Sequence, residues 1–256
     1  HSTISLGNDK ISLIVVVAMC AIISRLSTVR VIYCAEEAMR SHLQLGFSRK
    51  RSRIIGNGYK PYYDEPPNQH SAKSAFDKFD LGYIARYHPQ KNHLKLLECM
   101  ARLKYDIDIH LTLVGKGCDS QNLMLNSTLE RMGLQSNVTL KGLITEPRSL
   151  MHDCDYTLLI SDYGEGFPNV IGESLSVGTP CITTDVGDAK LILKNCGRIV
   201  PTSSVDDLVE QIKYAWETRK DFIRYKKLRR NCVKNYEEYL TISKMCNSYI
   251  EFWNSP

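Results

Sequence analysis

Short apolar runs alternate with amphipathic stretches through the middle of the chain. The run DYTLLIS at 155–161 is rich in β-prone residues and has no polar alternation, which is typical of a parallel strand buried on both faces. The stretch 91–105 instead places apolar residues such as Leu97 and Met100 at helical spacing. Between Asp80 and Val200, five or six such repeats predict an α/β domain whose parallel sheet is covered by helices on both faces.

The first 58 residues carry a separate set of predicted elements. These are an apolar helix, a strand, an amphipathic helix ended by Gly46 and a strand-like run, at 11–23, 29–34, 36–45 and 52–58. The first of them, ISLIVVVAMCAII, has thirteen residues, fewer than the roughly twenty that a bilayer span requires. We therefore expect a buried helix there, although its composition also leaves contact with lipid open.

A segment rich in proline, asparagine, serine and charge follows, as is typical of an interdomain linker. Three amphipathic helices end the sequence, at 206–217, 220–236 and 241–253. The predicted division of the chain is a partial domain, a linker, a main domain and a terminal helix, at 1–58, 59–79, 80–236 and 237–256.

The string EGFPNVIGE places two carboxylates, Glu165 and Glu173, eight positions apart. Glycines predict a loop after the strand at 155–161, Pro168 fits the first position of a helix, and Gly178 fits its end. Glu165 is therefore expected in the loop and Glu173 in the helix. Acids also favour helix N-termini for purely structural reasons, so the spacing alone does not decide between function and capping.

The start of that predicted helix offers backbone amides with no intrahelical acceptor. Those of Phe167, Asn169 and Val170 would form an anion site, for example for a phosphate. Neighbouring carboxylates suit the hydroxyl groups of a sugar or ribose, because an ionised carboxylate accepts hydrogen bonds. A polyol together with a phosphate indicates a nucleotide sugar.

Two basic residues, Arg86 and Lys91, follow another predicted strand in DLGYIARYHPQKN at 80–92. Ligands of open α/β sheets bind at the carboxyl ends of the strands. A guanidinium and an ammonium at that edge suit a diphosphate, although a solvated basic loop would look the same in sequence.

Together these segments resemble the retaining GT-B glycosyltransferases of family 4. EGFPNVIGE resembles the Glu-x7-Glu signature of that family, and Ala85-Arg86 stands where its members usually have Gly-Arg. The resemblance implies an α/β fold of GT-B type, with one complete Rossmann-like, doubly wound donor-binding domain, the tail of a second Rossmann-like domain and C-terminal helices. It also implies that most of the N-terminal domain is absent from the chain, which would leave transfer activity low or absent.

The roles of the site residues are likewise implied by the resemblance. Arg86 and Lys91 would offset charge on the leaving diphosphate, Glu165 would bind the transferred sugar, and Glu173 would bind the ribose hydroxyls. The donor pocket would also be lined by residues of the signature and by the glycine that borders the base: Gly142, Gly166, Phe167, Pro168, Asn169 and Val170. The donor would be a nucleotide sugar such as a UDP-hexose or UDP-N-acetylhexosamine, and no metal would be required. The acceptor would be a glycan or a polyprenyl-diphosphate-linked saccharide.

The formal net charge of the chain is +5, and its basic residues are unevenly distributed. Basic residues gather in SRKRSR at 48–53 and in the stretch 219–234, and either patch would suit anionic phospholipid, a lipid-linked diphosphate or solvent. Nucleic acid is not expected as a partner, because zinc-finger spacing, RNP-like aromatics and a helix-turn-helix signature are absent from the sequence.

Nine cysteines are scattered singly along the sequence, without a CxxC pair. This usage favours a reducing compartment, and hence the cytoplasm or the cytoplasmic face of the inner membrane. The seven histidines form no ligand pairs with the cysteines, so no zinc site is predicted.

Three alternatives remain open at this point. A non-catalytic module would bind a nucleotide sugar and depend on a partner for the missing half. A glycoside hydrolase would use Glu165 and Glu173 as acid and nucleophile, but would then have no need of Arg86 and Lys91. A nucleotide-sugar epimerase would need NAD, and the GxGxxG turn is absent after each predicted strand.

Overall fold

A computed structural model of the chain describes residues 11–26, 29–62, 78–201 and 204–255. Its strands, in chain order, are β1 Val31–Tyr33, β2 Ser52–Ile54, β3 Phe79–Ile84, β4 Ile109–Val114, β5 Val138–Gly142, β6 Tyr156–Leu159, β7 Cys181–Thr184 and β8 Gly197–Val200. Its α-helices are α1 Ile11–Ile23, α2 Glu36–Gln44, α3 His93–Leu103, α4 Leu123–Met132, α5 Pro147–Asp153, α6 Asn169–Ser176, α7 Ala189–Leu193, α8 Val205–Lys220, α9 Phe222–Asn235 and α10 Ile242–Asn254. A 3₁₀ turn, Pro89–Lys91, precedes α3, and a π-helical turn, Tyr236–Leu240, follows α9.

Six parallel strands form the main sheet, in the order β5-β4-β3-β6-β7-β8. The residues of β6 are all buried, as the continuous apolar run predicted. In the middle of the sheet, Leu81 of β3 lies opposite Leu111 of β4 and Tyr156 of β6. The predicted α/β fold with a parallel sheet is confirmed.

Apolar side chains pack on both faces of this sheet. One core cluster includes Leu97 of α3 and Ile212 of α8. The other includes Ile171 of α6, Leu193 of α7 and Cys232 of α9. Helices therefore cover the sheet from both sides, which leaves the loops at its two ends to carry ligands.

The N-terminal part pairs β1 with β2 in parallel, and α2 runs between them. Helix α1 has the predicted bounds, but the expectation that it is buried is wrong for the described chain. Val16, Met19 and Ile22 are each more than half exposed, because the described residues cover just the side that carries Ala21. In residues 11–26, 29–62, 78–201 and 204–255, no helix is both long and apolar enough to span a bilayer.

The terminal helix α10 contacts the N-terminal part of the chain. The Arg30 guanidinium donates hydrogen bonds to the carbonyl oxygens of Phe252 and Ser255, and Arg53 pairs with Glu251 at 3.5 Å. The Tyr59 amide donates to the carbonyl oxygen of Leu240, and the Tyr59 carbonyl oxygen accepts from the amide of Ile242 at the start of α10. The domain limits stay a prediction, and most of the linker predicted at 59–79 lies outside the described residues.

Candidate functional site

The strand order reverses between β3 and β6, two neighbouring parallel strands at the centre of the sheet. From β3 the chain proceeds outward to β4 and β5, and it then returns to β6 on the other side. Such a reversal opens a crevice at the carboxyl ends of the two strands, because their loops diverge in opposite directions. Arg86 and Lys91 follow β3, and Glu165 follows β6, so all three lie at this edge.

Lys91 and Glu165 meet in this crevice as an ion pair. The Lys91 ammonium donates to Oε1 of Glu165, and both side chains are about 15% exposed, at 16% and 14%. The hydroxyl of buried Ser161 donates to the same oxygen at 2.7 Å. The structure thus brings together two predicted catalytic residues that lie 74 positions apart.

The side chains of two nearby residues fix the backbone at Lys91. Asn92, the next residue, has a left-handed conformation with φ 53°, and its side-chain amide donates to the carbonyl oxygen of Ile160 at 3.0 Å. The hydroxyl of Tyr83 donates to the carbonyl oxygen of Lys91. Sequence reading missed these positioning residues; an asparagine between a turn and a helix was the available signal.

Arg86 lies just after β3, between Ala85 and Tyr87, whose amides donate to the carbonyl oxygens of Val114 and Lys116 at 2.8 Å. Its side chain is exposed, and within the described ranges no hydrogen bond or ion pair engages its guanidinium. The neighbouring backbone packs tightly, because a Cβ at Gly115 would overlap the carbonyl of Ala85. Arg86 thus has an exposed side chain and follows a tightly packed strand end at the edge of the crevice.

Helix α6 begins at Asn169, and Pro168 is its N-cap with φ −73° and ψ 98°. The expectation that Pro168 occupies the first helical position is therefore wrong by one residue, because its ψ is extended. The amides of Asn169 and Val170 still belong to the first turn, where no intrahelical acceptor exists. Gly178 ends the helix as predicted, with φ 73° and a hydrogen bond from its amide to Leu175.

Two side chains of the signature face a segment of the N-terminal part. The Asn169 side-chain oxygen accepts hydrogen bonds from the Asn57 amide and the Tyr59 hydroxyl, each at 2.8 Å. A Cβ at Gly56 would lie 2.6 Å from the ring of Phe167. These side chains therefore hold the chain crossing at 56–59, and the contacts occupy the side-chain oxygen of Asn169.

Glu173 is half-buried on the second turn of α6. Burial raises the pKa of this carboxyl, nearby Glu146 raises it further, and Arg148 opposes both. The Arg148 guanidinium itself bonds to Glu146 through two contacts of 3.0 Å and to the carbonyl oxygen of Lys60 at 3.1 Å. Glu173 and Glu165 thus have different surroundings, one beside a bound guanidinium and the other in direct contact with an ammonium.

Glycines bring two further loops against the crevice. Gly142, at the end of β5, has φ 64° and accepts a hydrogen bond from the amide of Gly115 at 2.8 Å. Gly187 has φ 52°, and a Cβ there would overlap the carbonyl oxygens of Glu165 and Gly166. The loop carrying Glu165 therefore rests directly on the backbone at position 187.

Asp188 joins this loop to the N-terminal part. Its amide donates to Gly166 at 2.9 Å, and its buried carboxylate accepts from the amides of Glu36 and Glu37 at the start of α2, at 2.6 and 3.2 Å. A carboxylate at this helix terminus is favourable because the amides and the helix dipole are positive there.

Groups of three or more His, Cys, Asp or Glu side chains able to hold a metal are absent from the ranges that the structure describes. That the site needs no metal stays a prediction, based on the basic side chains that would supply the positive charge.

Known proteins are similar to this chain in sequence and in fold. The chain is similar to EpsF of Bacillus subtilis, with 31% identity over 162 residues, which is 59% of this chain and 41% of that protein. It is also similar to the N-acetylgalactosamine-N,N'-diacetylbacillosaminyl-diphospho-undecaprenol 4-alpha-N-acetylgalactosaminyltransferase of Campylobacter jejuni, with 33% identity over 109 residues, or 43% and 28% of the two chains. These matches span less than half the length of either relative.

Among solved structures, HepE of Anabaena in complex with UDP superposes with a TM-score of 0.83. The superposition covers 100% of this chain and 71% of HepE at 20% sequence identity, so it shows a common fold. The predicted GT-B type of architecture is thereby confirmed. The sequence profile of the family described as glycosyl transferases group 1 matches residues 66–239. Because that match covers more than half of the chain, the protein belongs to the group 1 glycosyltransferase family.

Proposed function

We propose that this chain carries the donor-binding half of a retaining family 4 glycosyltransferase. The enzyme would move a sugar from a nucleotide diphosphate to a hydroxyl of a glycan or lipid-linked saccharide in polysaccharide synthesis. The observation that carries the proposal is the Lys91–Glu165 pair at the point where the strand order reverses. It supplies a cation for a diphosphate and a carboxylate for sugar hydroxyls in one crevice.

In the proposed reaction, the bond from the anomeric carbon to the diphosphate breaks and a bond to the acceptor oxygen forms. The acceptor's proton passes to the leaving diphosphate, on which negative charge grows as the bond breaks. Arg86 and Lys91 stabilise that charge, because both are positive and both follow β3 at this edge of the sheet. Glu165 accepts hydrogen bonds from the sugar hydroxyls and so orients the anomeric carbon towards the acceptor.

The nucleotide is held by the opposite wall of the crevice. In the proposal, Glu173 accepts hydrogen bonds from the ribose hydroxyls, Gly142 borders the base, and the backbone of Gly166 and Val170 lies against the diphosphate. HepE was solved in complex with UDP, and the name of the Campylobacter relative contains a diphospho-undecaprenol acceptor. These relatives support a UDP-sugar donor and a polyprenyl-diphosphate-linked acceptor for this chain.

All nine cysteines are free thiols, and seven of them are at least partly buried. This supports a reducing compartment. The proposal accordingly locates the reaction in the cytoplasm, at the inner face of the cytoplasmic membrane where a lipid-linked acceptor would be available.

A binding and turnover experiment tests the proposal. UDP or a UDP-sugar should raise the melting temperature of the 256-residue chain, because a ligand that binds the native state stabilises it by mass action. If neither nucleoside diphosphates nor nucleotide sugars shift the melting temperature or release heat, the proposal is wrong. Binding without transfer to any acceptor would instead favour a non-catalytic nucleotide-sugar-binding module.

Replacing Arg86 with alanine should weaken UDP binding by roughly 1.5 to 3 kcal/mol, which corresponds to one charge-assisted hydrogen bond. Stability should barely change, since the side chain is exposed. Isothermal titration calorimetry provides the measurement, and Arg131→Ala, an exposed arginine at the end of α4, is the control. Equal UDP affinity in Arg86→Ala and wild type would remove Arg86 from the diphosphate site.

Replacing Glu173 with glutamine should weaken UDP binding more than pyrophosphate binding, because pyrophosphate has no ribose to lose. The wild-type affinity for UDP should also fall on acidification at a pH above 4.5, since the raised pKa of Glu173 lets it take up a proton there. That step should be missing from Glu173→Gln, which separates it from the titration of UDP itself. An equal loss for both ligands would exclude a ribose contact.

The same raised pKa determines the sign of the stability effect. The folded protein holds the proton of Glu173 to a higher pH than the unfolded chain, so the stability that this proton contributes is complete below pH 4.5. It is lost as the pH rises through the folded-state pKa. Urea denaturation between pH 4 and 8 should therefore show Glu173→Gln gaining stability relative to wild type as the pH rises.

A further inference from the structure

The positive charge of the chain is concentrated in one short stretch. Residues 213–234 contain nine lysines and arginines and two acids, so the net charge of this stretch alone exceeds the +5 of the whole chain. Helix α9 has six of these basic residues and no acidic residue among its fourteen. The basic side chains of such a helix repel one another, because residues three and four positions apart are neighbours on its surface.

The exposed face of α9 carries this charge in a line. Ile223, Lys227, Arg230 and Lys234 recur at spacings of four, three and four, which places them on one side of the helix. All four are exposed, whereas Cys232 and Asn235 on the other side are buried against the domain. We call this line, together with the adjacent Phe222 and Lys226, the α9 stripe.

The charges of the stripe differ from those of the basic residues around it. Its neighbours are paired, such as Lys213 with Asp106 at 2.9 Å and Lys220 with Glu217 at 3.2 Å. Across the residues that the structure describes, no carboxylate lies within ion-pair distance of Lys227, Arg230 or Lys234. These three charges are therefore available to an external anion.

Two large apolar side chains lie at the beginning of the stripe and are open to solvent. Phe222 is 54% exposed and Ile223 is 80% exposed, and the ammonium of Lys226 lies 5.6 Å from the centre of the Phe222 ring. Neither contributes to either core cluster. An aromatic and an aliphatic residue beside a line of cations suit an interface that is anionic at its surface and apolar beneath it.

We propose that the α9 stripe is a docking surface for an anionic phospholipid bilayer. Its basic residues contact the lipid phosphates, and Phe222 and Ile223 enter the boundary between head groups and acyl chains. A nucleic acid would satisfy the charges but would give exposed Ile223 no apolar phase, so this occupant fits less well.

The stripe lies away from the candidate site. The Tyr225 hydroxyl, at the start of α9, donates to the carbonyl oxygen of Asp155 at 2.6 Å, and Asp155 precedes the amino end of β6. Lys91 and Glu165 lie beyond the carboxyl ends of the strands. Docking through the stripe therefore leaves the crevice open, and the proposal does not depend on the transfer reaction.

Co-sedimentation with vesicles tests the proposal on the full 256-residue chain. Binding is expected to vesicles of phosphatidylcholine and phosphatidylglycerol at a ratio of about 70:30, with strong weakening at high salt because exposed charges are screened. Equal binding to pure phosphatidylcholine vesicles would overturn the proposal. That result would assign the contact to the uncharged, exposed face of α1.

A charge-matched pair of variants locates the surface. The triple variant Lys227→Gln/Arg230→Gln/Lys234→Gln should lower vesicle affinity on the order of 100-fold, since each basic residue near an anionic surface contributes about fivefold. The control Arg49→Gln/Lys50→Gln/Arg51→Gln removes the same charge from the other basic patch and should leave vesicle binding within a few-fold. Equal losses for both triples, or a loss for the control alone, would overturn the proposal.

An apolar variant identifies the occupant. Phe222→Ser/Ile223→Ser keeps every charge and should weaken vesicle binding roughly tenfold while leaving UDP affinity unchanged. Vesicle affinity equal to wild type in this variant would exclude contact with the acyl region. Tighter binding to random-sequence duplex DNA than to the anionic vesicles would likewise overturn the assignment to lipid.

Discussion

Replacing Lys91 with methionine should cost the protein both stability and affinity for a nucleoside diphosphate. The substitution keeps the length of the side chain but leaves Glu165 with Ser161 as its remaining donor in the crevice. Breaking a pair that is only about 15% exposed is costly, because the remaining charge loses its partner where water is scarce; we expect about 2 kcal/mol. Urea denaturation measures this loss.

The loss of UDP affinity in Lys91→Met should be ten- to hundredfold, about 1.5 to 3 kcal/mol for a charge-assisted hydrogen bond. An ammonium has three donors, so Lys91 can keep Glu165 on one of them and offer the others to a diphosphate. Calorimetry with UDP tests this directly. Unchanged affinity would remove Lys91 from the diphosphate site.

The double variant Lys91→Met/Glu165→Gln separates the two effects. A neutral amide at position 165 needs no cation, so stability should return most of the way to wild type. UDP affinity should stay as low as in the single variant, because the missing ammonium is not restored. Recovery of both properties together would mean that Lys91 acts on UDP only through the fold.

Lys95→Met provides the matched control. Lys95 forms an ion pair with Asp162 at 2.9 Å on the same helix end, but the two side chains are 23% and 34% exposed. Its loss should cost less than about 1 kcal/mol, as is usual for pairs that water reaches. A loss of UDP affinity as large as that of Lys91→Met would show that any positive charge in this region suffices.

The site residues whose positions could be predicted from the sequence are those that follow the carboxyl ends of strands. Parallel strands all present their carboxyl ends at one edge, so residues soon after β3 and β6 had to lie near one another once the strand order was right. Arg86, Lys91 and Glu165 belong to this group. Their proximity follows from topology and needs no knowledge of side-chain partners.

Contacts between distant segments were beyond a single sequence. Asn169 bonds to Asn57 and Tyr59 across more than 100 residues, and Asp188 bonds to Glu36 across 152. Nothing local in the sequence distinguishes an asparagine that holds a neighbouring segment from one that holds a ligand. The exposure of α1 was missed for a related reason, since apolar composition indicates a need for burial but not whether a partner is present.

Replacing Gly187 with alanine should disturb the loop that carries Glu165. The new Cβ would overlap the carbonyl oxygens of Glu165 and Gly166, and displacing backbone atoms costs more than displacing the end of a flexible side chain. The residue also has φ 52°, a conformation that costs alanine about 1 kcal/mol. We expect a total loss of roughly 3 kcal/mol in the free energy of unfolding.

Gly133→Ala isolates the clash from the conformational cost. Gly133 has a similar φ of 60°, but its Cβ would meet just the ammonium end of Lys104, at 3.1 Å. Moving that side chain breaks hydrogen bonds from its ammonium to the carbonyl oxygens of Met132 and Gly133 but displaces no backbone, so this variant should lose about 1 to 2 kcal/mol and no ligand affinity. The difference between the two variants in the free energy of unfolding gives the cost of displacing the Glu165 loop.

The functional consequence of Gly187→Ala should depend on the ligand. Pushing the carbonyls of Glu165 and Gly166 outward moves the carboxylate that is proposed to hold the transferred sugar, whereas Glu173 lies further along α6 and keeps its place. Affinity for a UDP-sugar should therefore fall more than affinity for UDP. Equal losses for the two ligands in Gly187→Ala, measured by calorimetry beside Gly133→Ala, would mean that Glu165 does not contact the sugar.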